Sequence, residues 1–221
     1  MGMQALVRFK ELCMDTTGGD GLGRFWADVV GCDFVPDDEA GDVVGEQEYQ
    51  GIAMCMVPEE KTVKHRVHLD VYGDPAALTL RGAEIVLPRR ESGFAWTVMR
   101  DPEGGEFCAF ERDPLPAYRL HGIGVDCVDP ERMAHWWGEL FGVDVTVNDG
   151  WWTLEGITDD PVLTMDFAAV PEPKTVKNRI HWDVYGDATA ILARGAVSLW
   201  DTERWRVLGD PEGNEFCVFA T

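Results

Sequence analysis

The chain has 221 residues, of which 45% are apolar and 27% are charged. These fractions are typical of a globular protein that buries a core, and they exclude a disordered or collagen-like chain. The length suits one large domain or two of ordinary size. With 19 basic and 40 acidic residues, the formal net charge is -21. Such a surface repels phosphate, which disfavours nucleic acid and membranes as partners.

The cysteines and the N-terminal segment both indicate a reducing, aqueous compartment. The six cysteines form no CxxC pair and no closely spaced set, so the sequence predicts neither a zinc knuckle nor a disulfide framework. Residues 1–15 contain no apolar run long enough for a signal peptide or a membrane span. We therefore expect a cytoplasmic protein with reduced thiols.

The first half predicts a strand over 9–15, a helix over 22–30 that ends at Gly31, and two or three strands up to residue 57. A strand with clean alternation follows. Its apolar positions face one side, and Arg66, His68 and Asp70 face the other. A helix over 75–81, a strand, a DPEG turn and a last strand complete this half.

The second half predicts the same order of elements. A strand over 121–127 precedes a helix over 131–141. Asp129 and Pro130 suit its N-cap and first position, and Gly142 suits its C-terminal end. More strands, a short helix ending near Gly195, a DPEG turn and a final strand follow. Each half therefore consists of two βαβββ units.

The two halves are related by an internal repeat. Residues 61–74 (KTVKHRVHLDVYGD) return as 174–187 (KTVKNRIHWDVYGD), with 11 of 14 positions identical. Residues 101–110 return as 210–219, with 8 of 10 identical. The segment DPLPAYR between the halves contains two prolines, which suit a linker. We predict two homologous domains, residues 1–113 and 119–221.

Four βαβββ units, with a segment such as DPEGNEF ending each half, resemble the vicinal oxygen chelate superfamily. This superfamily includes glyoxalase I, extradiol dioxygenases, fosfomycin-resistance enzymes and bleomycin-binding proteins. The segments VPEPKTVKNRIHWDV and WRVLGDPEGNEFC are most similar to its two-domain glyoxalase-like subgroup. The resemblance implies an α+β fold with units paired into curved mixed sheets, helices on the convex faces and ligand on the concave faces. It also implies a monomeric pseudo-dimer or a homo-oligomer.

Metal-dependent members of that superfamily carry their ligands on the first and last strands of the units. In the first half, those positions fall on Glu11, His68 and Cys108. This set would suit zinc better than magnesium, and iron or manganese are the other divalent candidates. The alternative is that no cofactor binds, because the superfamily's usual last-strand glutamate is replaced here by cysteine.

In the second half, the first-strand position falls on Gly122, with His121 beside it, and the others fall on His181 and Cys217. His68 and His181 each share a strand face with an arginine and an aspartate. Each histidine is therefore either part of a satisfied polar network or a catalytic acid–base group, since imidazole titrates near neutral pH.

Alternation along the strands predicts an aromatic wall and a polar floor for a flat ligand. The expected ligand-binding residues of the second half are Arg179, His181, Asp183, Cys217, Phe219, Trp205 and one of Trp151 and Trp152. Their counterparts in the first half are Arg66, Asp70 and Trp96.

The sequence favours a glyoxalase/bleomycin-resistance-type protein that binds a small aromatic or hydrophobic metabolite or drug. The first alternative is a metal-dependent lyase, isomerase or dioxygenase of the superfamily. The second alternative is a metal-free enzyme in which His68 or His181 is the general base.

Overall fold

The computed structural model describes residues 4–148 and 150–220. Over these residues the chain forms four successive βαβββ units. The first unit comprises β1 (Val7–Thr16), α1 (Gly21–Val30), β2 (Asp33–Val35), β3 (Asp42–Val44) and β4 (Ile52–Met56). The second comprises β5 (Val67–Tyr72), α2 (Pro75–Thr79), β6 (Glu84–Leu87), α3 (Arg89–Ser92), β7 (Thr97–Arg100) and β8 (Glu106–Phe110).

The second half repeats this order. The third unit comprises β9 (Leu120–Cys127), α4 (Pro130–Phe141), β10 (Val145–Asn148), β11 (Trp151–Glu155) and β12 (Thr164–Ala169). The fourth comprises β13 (Ile180–Gly186), α5 (Ala188–Leu192), β14 (Val197–Asp201), β15 (Trp205–Gly209) and β16 (Glu215–Phe219). None of the helices in these described segments has the length and apolar character needed to cross a membrane.

The helix ends follow the local sequence signals. The predicted cap of α4 is confirmed, since the Asp129 side chain accepts a hydrogen bond from the backbone N–H of Arg132 at 3.2 Å and Pro130 occupies the first turn. Helices α1 and α4 end at Gly31 and Gly142, whose φ angles of 81° and 71° are left-handed. Glycine adopts this conformation without a steric penalty from Cβ.

The strands form two eight-stranded mixed sheets. Sheet A has the order β14-β15-β16-β13-β1-β4-β3-β2, and sheet B has the order β10-β11-β12-β9-β5-β8-β7-β6. Both are curved and unclosed, which confirms the predicted α+β class. Each sheet takes one unit from each half. Sheet A joins the first and fourth units, and sheet B joins the second and third.

The exchange between halves involves two strands of nearly the same sequence. Strand β1 pairs antiparallel with β13, and β5 pairs antiparallel with β9. Because β5 and β13 have nearly the same sequence, either could in principle supply the same backbone hydrogen bonds to β1. The two halves thus interlock as the two subunits of an exchanged dimer do.

Helix packing keeps the two units of one half in contact. Trp26 of α1 packs on Phe107 of β8 with ring centroids 5.3 Å apart, and its Nε1 donates to Asp101 of the DPEG turn at 3.3 Å. Trp137 of α4 repeats this arrangement with Phe216 of β16, at 4.8 Å. Each half thus has internal core contacts, although its strands belong to different sheets. The domain limits 1–113 and 119–221 remain a prediction.

Candidate functional site

The concave face of sheet B has a polar floor made by β5 and β8. His68 and Asp70 lie two residues apart on β5, and Cys108 of β8 lies beside Asp70 in the parallel register. One ligand atom from each lies within 4.8 Å of the other two, and His68 Nε2 is 3.6 Å from Asp70 Oδ1. Alternation explains this grouping, because the intervening apolar residues of β5 turn to the core. We call His68, Asp70 and Cys108 floor B.

Burial determines the electrostatics of floor B. It raises the pKa of Asp70 to about 8, and the nearby Asp166 carboxylate adds to this rise. Burial also lowers the pKa of His68 and raises the pKa of Cys108. Within the described part of the chain, buried Asp70 Oδ1 accepts no hydrogen bond. An unpartnered carboxylate oxygen beside an imidazole and a thiol fits a divalent cation such as zinc.

The neighbouring strands leave space for this floor and add a carboxylate to it. Gly124 of β9 lies opposite His68 in the antiparallel register. A Cβ at Gly124 would overlap the imidazole, so only glycine leaves the room that this ring fills. Asp166 of β12 accepts hydrogen bonds from two threonine hydroxyls at 2.6 and 2.5 Å. Its carboxylate is therefore held in place beside floor B.

An aromatic surface, wall B, stands beside this floor and consists of Tyr72, Trp96, Phe110, His121 and Trp151. His121 is the extra residue of a β-bulge in β9. Its ring stacks on Tyr72 at 4.1 Å and meets Phe110 edge-on at 4.6 Å. Trp96 lies 5.3 Å from Phe110 and 6.1 Å from Trp151. All five side chains are half-buried, so their rings remain partly available for contact.

The concave face of sheet A has the matching floor, His181, Asp183 and Cys217, which we call floor A. The three ligand atoms again lie within 4.8 Å of one another, and Cys217 Sγ is 3.5 Å from His181 Nε2. Burial lowers the pKa of His181 to about 3 and raises the pKa of Asp183 to about 6. Floor A is therefore the same donor set in a more enclosed setting.

The wall above floor A differs from wall B because two cations lie over its rings, whereas in wall B the Arg112 guanidinium lies 4.5 Å from the Tyr72 centroid. Trp205 stacks on Phe219 at 5.4 Å. The Lys10 ammonium lies 4.8 Å from the Phe219 centroid, and the Arg8 guanidinium lies 4.4 Å from the Tyr185 centroid. Lys10 occupies the bulge position that His121 occupies in β9. The two concave faces therefore share a floor chemistry but present different walls.

Two sequence expectations grouped residues that the structure places on different sheets. Glu11 lies on β1 of sheet A, opposite Asp183 in the register and ion-paired with Lys10. It is therefore not beside His68 and Cys108, the other members of the expected metal set. Each sheet takes one unit from each half. Glu11 of the first unit therefore lies on sheet A, whereas His68 and Cys108 of the second unit lie on sheet B.

The tryptophan pair of β11 was expected on the wall near His181. Both residues lie on sheet B instead. Trp151 contacts Trp96 on the concave face, whereas Trp152 packs against the core. Neighbouring residues of a strand point to opposite faces of the sheet, which accounts for the different contacts of the two rings.

Arg66 and Arg179 reach across to the opposite half instead of lining a wall. The Arg179 guanidinium donates to the carbonyl of Glu59 at 2.6 Å, to the carbonyl of Asp15 at 3.1 Å and to the carboxylate of Glu103 at 3.0 Å. Its side chain is only 11% exposed. Arg66 makes the corresponding contacts with the second half. Its guanidinium donates to one backbone carbonyl at 2.6 Å and to one carboxylate at 3.5 Å.

Two lysines of the repeated segments add the same kind of contact. Lys64 binds Asp126 at 2.7 Å, and Lys177 binds Asp15 at 2.5 Å. Each pair joins one half to the other. The recurrence of Lys64 as Lys177, and of Arg66 as Arg179, therefore has a structural reason, since these residues form a two-fold related clamp between the halves.

A cavity of about 970 Å³ lies between these clamp segments and is lined by residues of 57–67 and 170–179 with Asp15 and Asp126. Five basic and five acidic residues line it, so its charge is balanced although the chain is strongly acidic. The cavity lies at the junction of the halves and contains no residue of floor A or floor B. Any binding experiment must therefore distinguish it from the two concave faces.

Comparison with known proteins identifies the family. A family model described as glyoxalase-like domain matches residues 11–110 and 122–219. The chain therefore belongs to the glyoxalase-like domain family, and the resemblance to the vicinal oxygen chelate superfamily is confirmed. None of the curated proteins matches the sequence.

Solved structures show the same fold at low identity. Glyoxalase I from Zea mays aligns with a TM-score of 0.68 and 12% identity, covering 97% of this chain and 92% of that one. A putative dioxygenase from Bacillus subtilis subsp. subtilis str. 168 aligns with a TM-score of 0.66 and 13% identity, covering 98% and 86%. At these identities the likeness establishes the fold alone.

Proposed function

We propose that this protein binds a small, flat, largely apolar molecule on the concave face of sheet B, between wall B and floor B. The observation that carries this proposal is wall B itself, five half-buried rings in mutual contact beside a polar floor. Aromatic rings offer large contact area and stacking geometry to a planar partner. A few convergent polar groups then fix its orientation.

The negative charge near floor B disfavours one class of ligand. The Asp166 carboxylate lies beside floor B, and the chain as a whole has a net charge of -21. An anionic ligand would be repelled, so the proposed ligand is neutral or cationic and carries at least one hydrogen-bonding group. His68 and Asp70 are the groups that would meet this polar end.

The experiment is a titration with 2-naphthol, followed by tryptophan fluorescence and by calorimetry. We expect saturable binding, because its two fused rings stack on wall B while its hydroxyl meets floor B. Decahydro-2-naphthol is the matched control, since it keeps the skeleton and hydroxyl but has no π face. Equal binding of both alcohols, or binding of neither, would contradict the proposal.

A second candidate function is a metal-dependent lyase, isomerase or dioxygenase, and the unpartnered Asp70 Oδ1 favours it. His68, Asp70 and Cys108 would hold the ion, with the corresponding set on floor A as a second site. A divalent cation there would act as a Lewis acid toward a bound oxygen atom. In the metal-free alternative, His68 or His181 is the general base. Burial lowers the pKa of each, which keeps the imidazole neutral but also makes it a weaker base.

Gly124→Ala tests the metal site without removing a ligand. The new methyl group would displace the His68 imidazole, so zinc retained after dialysis should fall by about the share held on floor B, since a site that loses one ligand binds far more weakly. Gly18→Ala is the control, because a Cβ there meets no atom within 4 Å. Equal zinc retention by Gly124→Ala and the unaltered protein would count against floor B as a metal site.

For assembly and location we propose a monomeric pseudo-dimer in the cytoplasm. Both sheets are completed within one chain, so no second copy is needed to form either concave face. A homo-oligomer of such chains is the alternative, and light scattering after size exclusion separates the two.

A further inference from the structure

The cavity at the junction of the halves is distinct from both concave faces. Its volume of about 970 Å³ is within the usual range for sites that bind small molecules, and such sites often lie where two domains meet. The residues that line it differ from those of floor A, floor B and wall B. The cavity is therefore a candidate binding site of its own.

The apolar part of the cavity lining repeats between the two halves. Val57 and Val63 of the first half correspond to Val170 and Val176 of the second half. Val63 is 42% exposed and Val176 is 43% exposed, so both side chains have surface free to contact a ligand. Equivalent valines on both sides favour a ligand with an apolar body and two similar ends.

The charged part of the lining has an excess of carboxylates. Each of its five basic side chains is ion-paired with a carboxylate, and the partners are Asp15, Asp126, Glu103, Glu106 and Glu212. In the part of the chain that the structure describes, the other three carboxylates of the lining form no ion pair, and they belong to Glu59, Glu60 and Glu172. Glu59 and Glu172 are equivalent in the repeat. This excess favours a cationic ligand and disfavours an anion.

His65 also lines the cavity, and it has unused hydrogen-bonding capacity. Its side chain is 9% exposed, and neither ring nitrogen has a hydrogen-bond partner among the described residues. The equivalent residue of the second half, Asn178, donates to Asn214 Oδ1 at 3.0 Å. Burial lowers the pKa of His65 to about 4, so the ring is neutral at neutral pH and one of its nitrogens accepts a hydrogen bond. An ammonium group is a suitable donor for it.

We propose that this cavity binds an aliphatic diamine, with the apolar chain along the valines and an ammonium group at each end. Glu59 and Glu172 face the two ammonium groups, and His65 accepts a hydrogen bond from one of them. The site is independent of the function proposed for sheet B, because it shares no side chain with wall B or floor B.

The probe is 1,8-diaminooctane, titrated into the protein at neutral pH and physiological ionic strength and followed by calorimetry. We expect saturable binding of one equivalent. 1,4-Diaminobutane should bind about tenfold more weakly or worse, since it has fewer methylene groups to bury. 1,8-Octanediol, which keeps the chain length but has no charge, should also bind about tenfold more weakly or worse, because it forms no charge contacts with the carboxylates.

Paired variants assign the binding to this cavity. Glu59→Gln combined with Glu172→Gln should weaken the affinity for 1,8-diaminooctane by about tenfold, because two charge contacts are lost. The control combines Glu46→Gln with Glu155→Gln, which changes the net charge equally at exposed positions outside the lining. It should change the affinity by less than about twofold, because physiological salt screens exposed charges over about 8 Å.

Two further measurements keep the outcomes distinct. Far-ultraviolet circular dichroism shows that each variant is folded. The 2-naphthol titration reports on sheet B separately, so a failure there leaves the diamine site standing.

Two results would overturn the proposal. One is an equal affinity for 1,8-diaminooctane in the two double variants, which would place the diamine elsewhere on the acidic surface. The other is that 1,8-octanediol binds as tightly as 1,8-diaminooctane, or that neither binds, because the cavity would then not recognise the ammonium groups.

Discussion

Arg179→Met should lower the free energy of unfolding by about 3 kcal/mol, the lower end of the range for breaking a buried ion pair. Arg179 joins the second half to the first through hydrogen bonds to two backbone carbonyls and to Glu103. The loss stays at the lower end because Glu103 is 21% exposed and keeps its hydrogen bonds from Thr16 and Thr17. Urea denaturation measures the change.

The matched control is Arg194→Met, which removes a surface ion pair with Glu139 at 3.6 Å. Both of its side chains are about half exposed, so this change should cost less than about 1 kcal/mol. If the two variants lose the same stability, the clamp does not hold the halves together in the way described here.

Trp137→Ala should be at least as damaging, with a loss of about 3–5 kcal/mol, the usual range for deleting a fully buried large aromatic side chain. The Trp137 ring packs on Phe216 at 4.8 Å and on Trp182 at 5.0 Å, and its Nε1 donates to Asp210 at 3.3 Å. The substitution would open a cavity between α4 and sheet A and leave that carboxylate without one donor.

Trp200→Ala is the control for this prediction. Trp200 is 46% exposed on the edge strand β14, so its removal should change the unfolding free energy by less than about 0.5 kcal/mol. A small loss for Trp137→Ala would mean that α4 is not the core element that its contacts indicate.

The elements of the fold were predictable because they rest on local signals. Alternation in β5, the Asp129 cap of α4 and the glycine ends of α1 and α4 all act within a few residues. The pairing of units was not predictable, because the strands that compete for β1 have nearly the same sequence. Only the assembled structure shows which of them lies beside it. The short helix α3 was also missed.

The floors were predictable and the walls only partly so. His68 with Cys108, and His181 with Cys217, were placed by strand periodicity and by the resemblance to the superfamily. Wall B depends on the β-bulge at His121, which shifts the register by one residue and has no clear sequence signal.

The contacts of Arg66 and Arg179 were not predictable from the sequence. Strand alternation predicts the face of the sheet toward which the side chains of Arg66 and Arg179 leave the backbone. Alternation does not predict which group the long arginine side chain binds. For both arginines, that group lies in the other half of the chain.

The most direct test of the central claim compares Trp151→Ala with Trp152→Ala in the 2-naphthol titration. These neighbours have the same chemistry, but Trp151 belongs to wall B and Trp152 packs against the core. Ligand binding to wall B predicts that Trp151→Ala weakens the affinity by about tenfold or more, the loss expected for one aromatic stacking contact. Trp152→Ala should lower stability while leaving the affinity near that of the unaltered protein. Unchanged affinity in Trp151→Ala would contradict the proposal that the ligand lies on the concave face of sheet B.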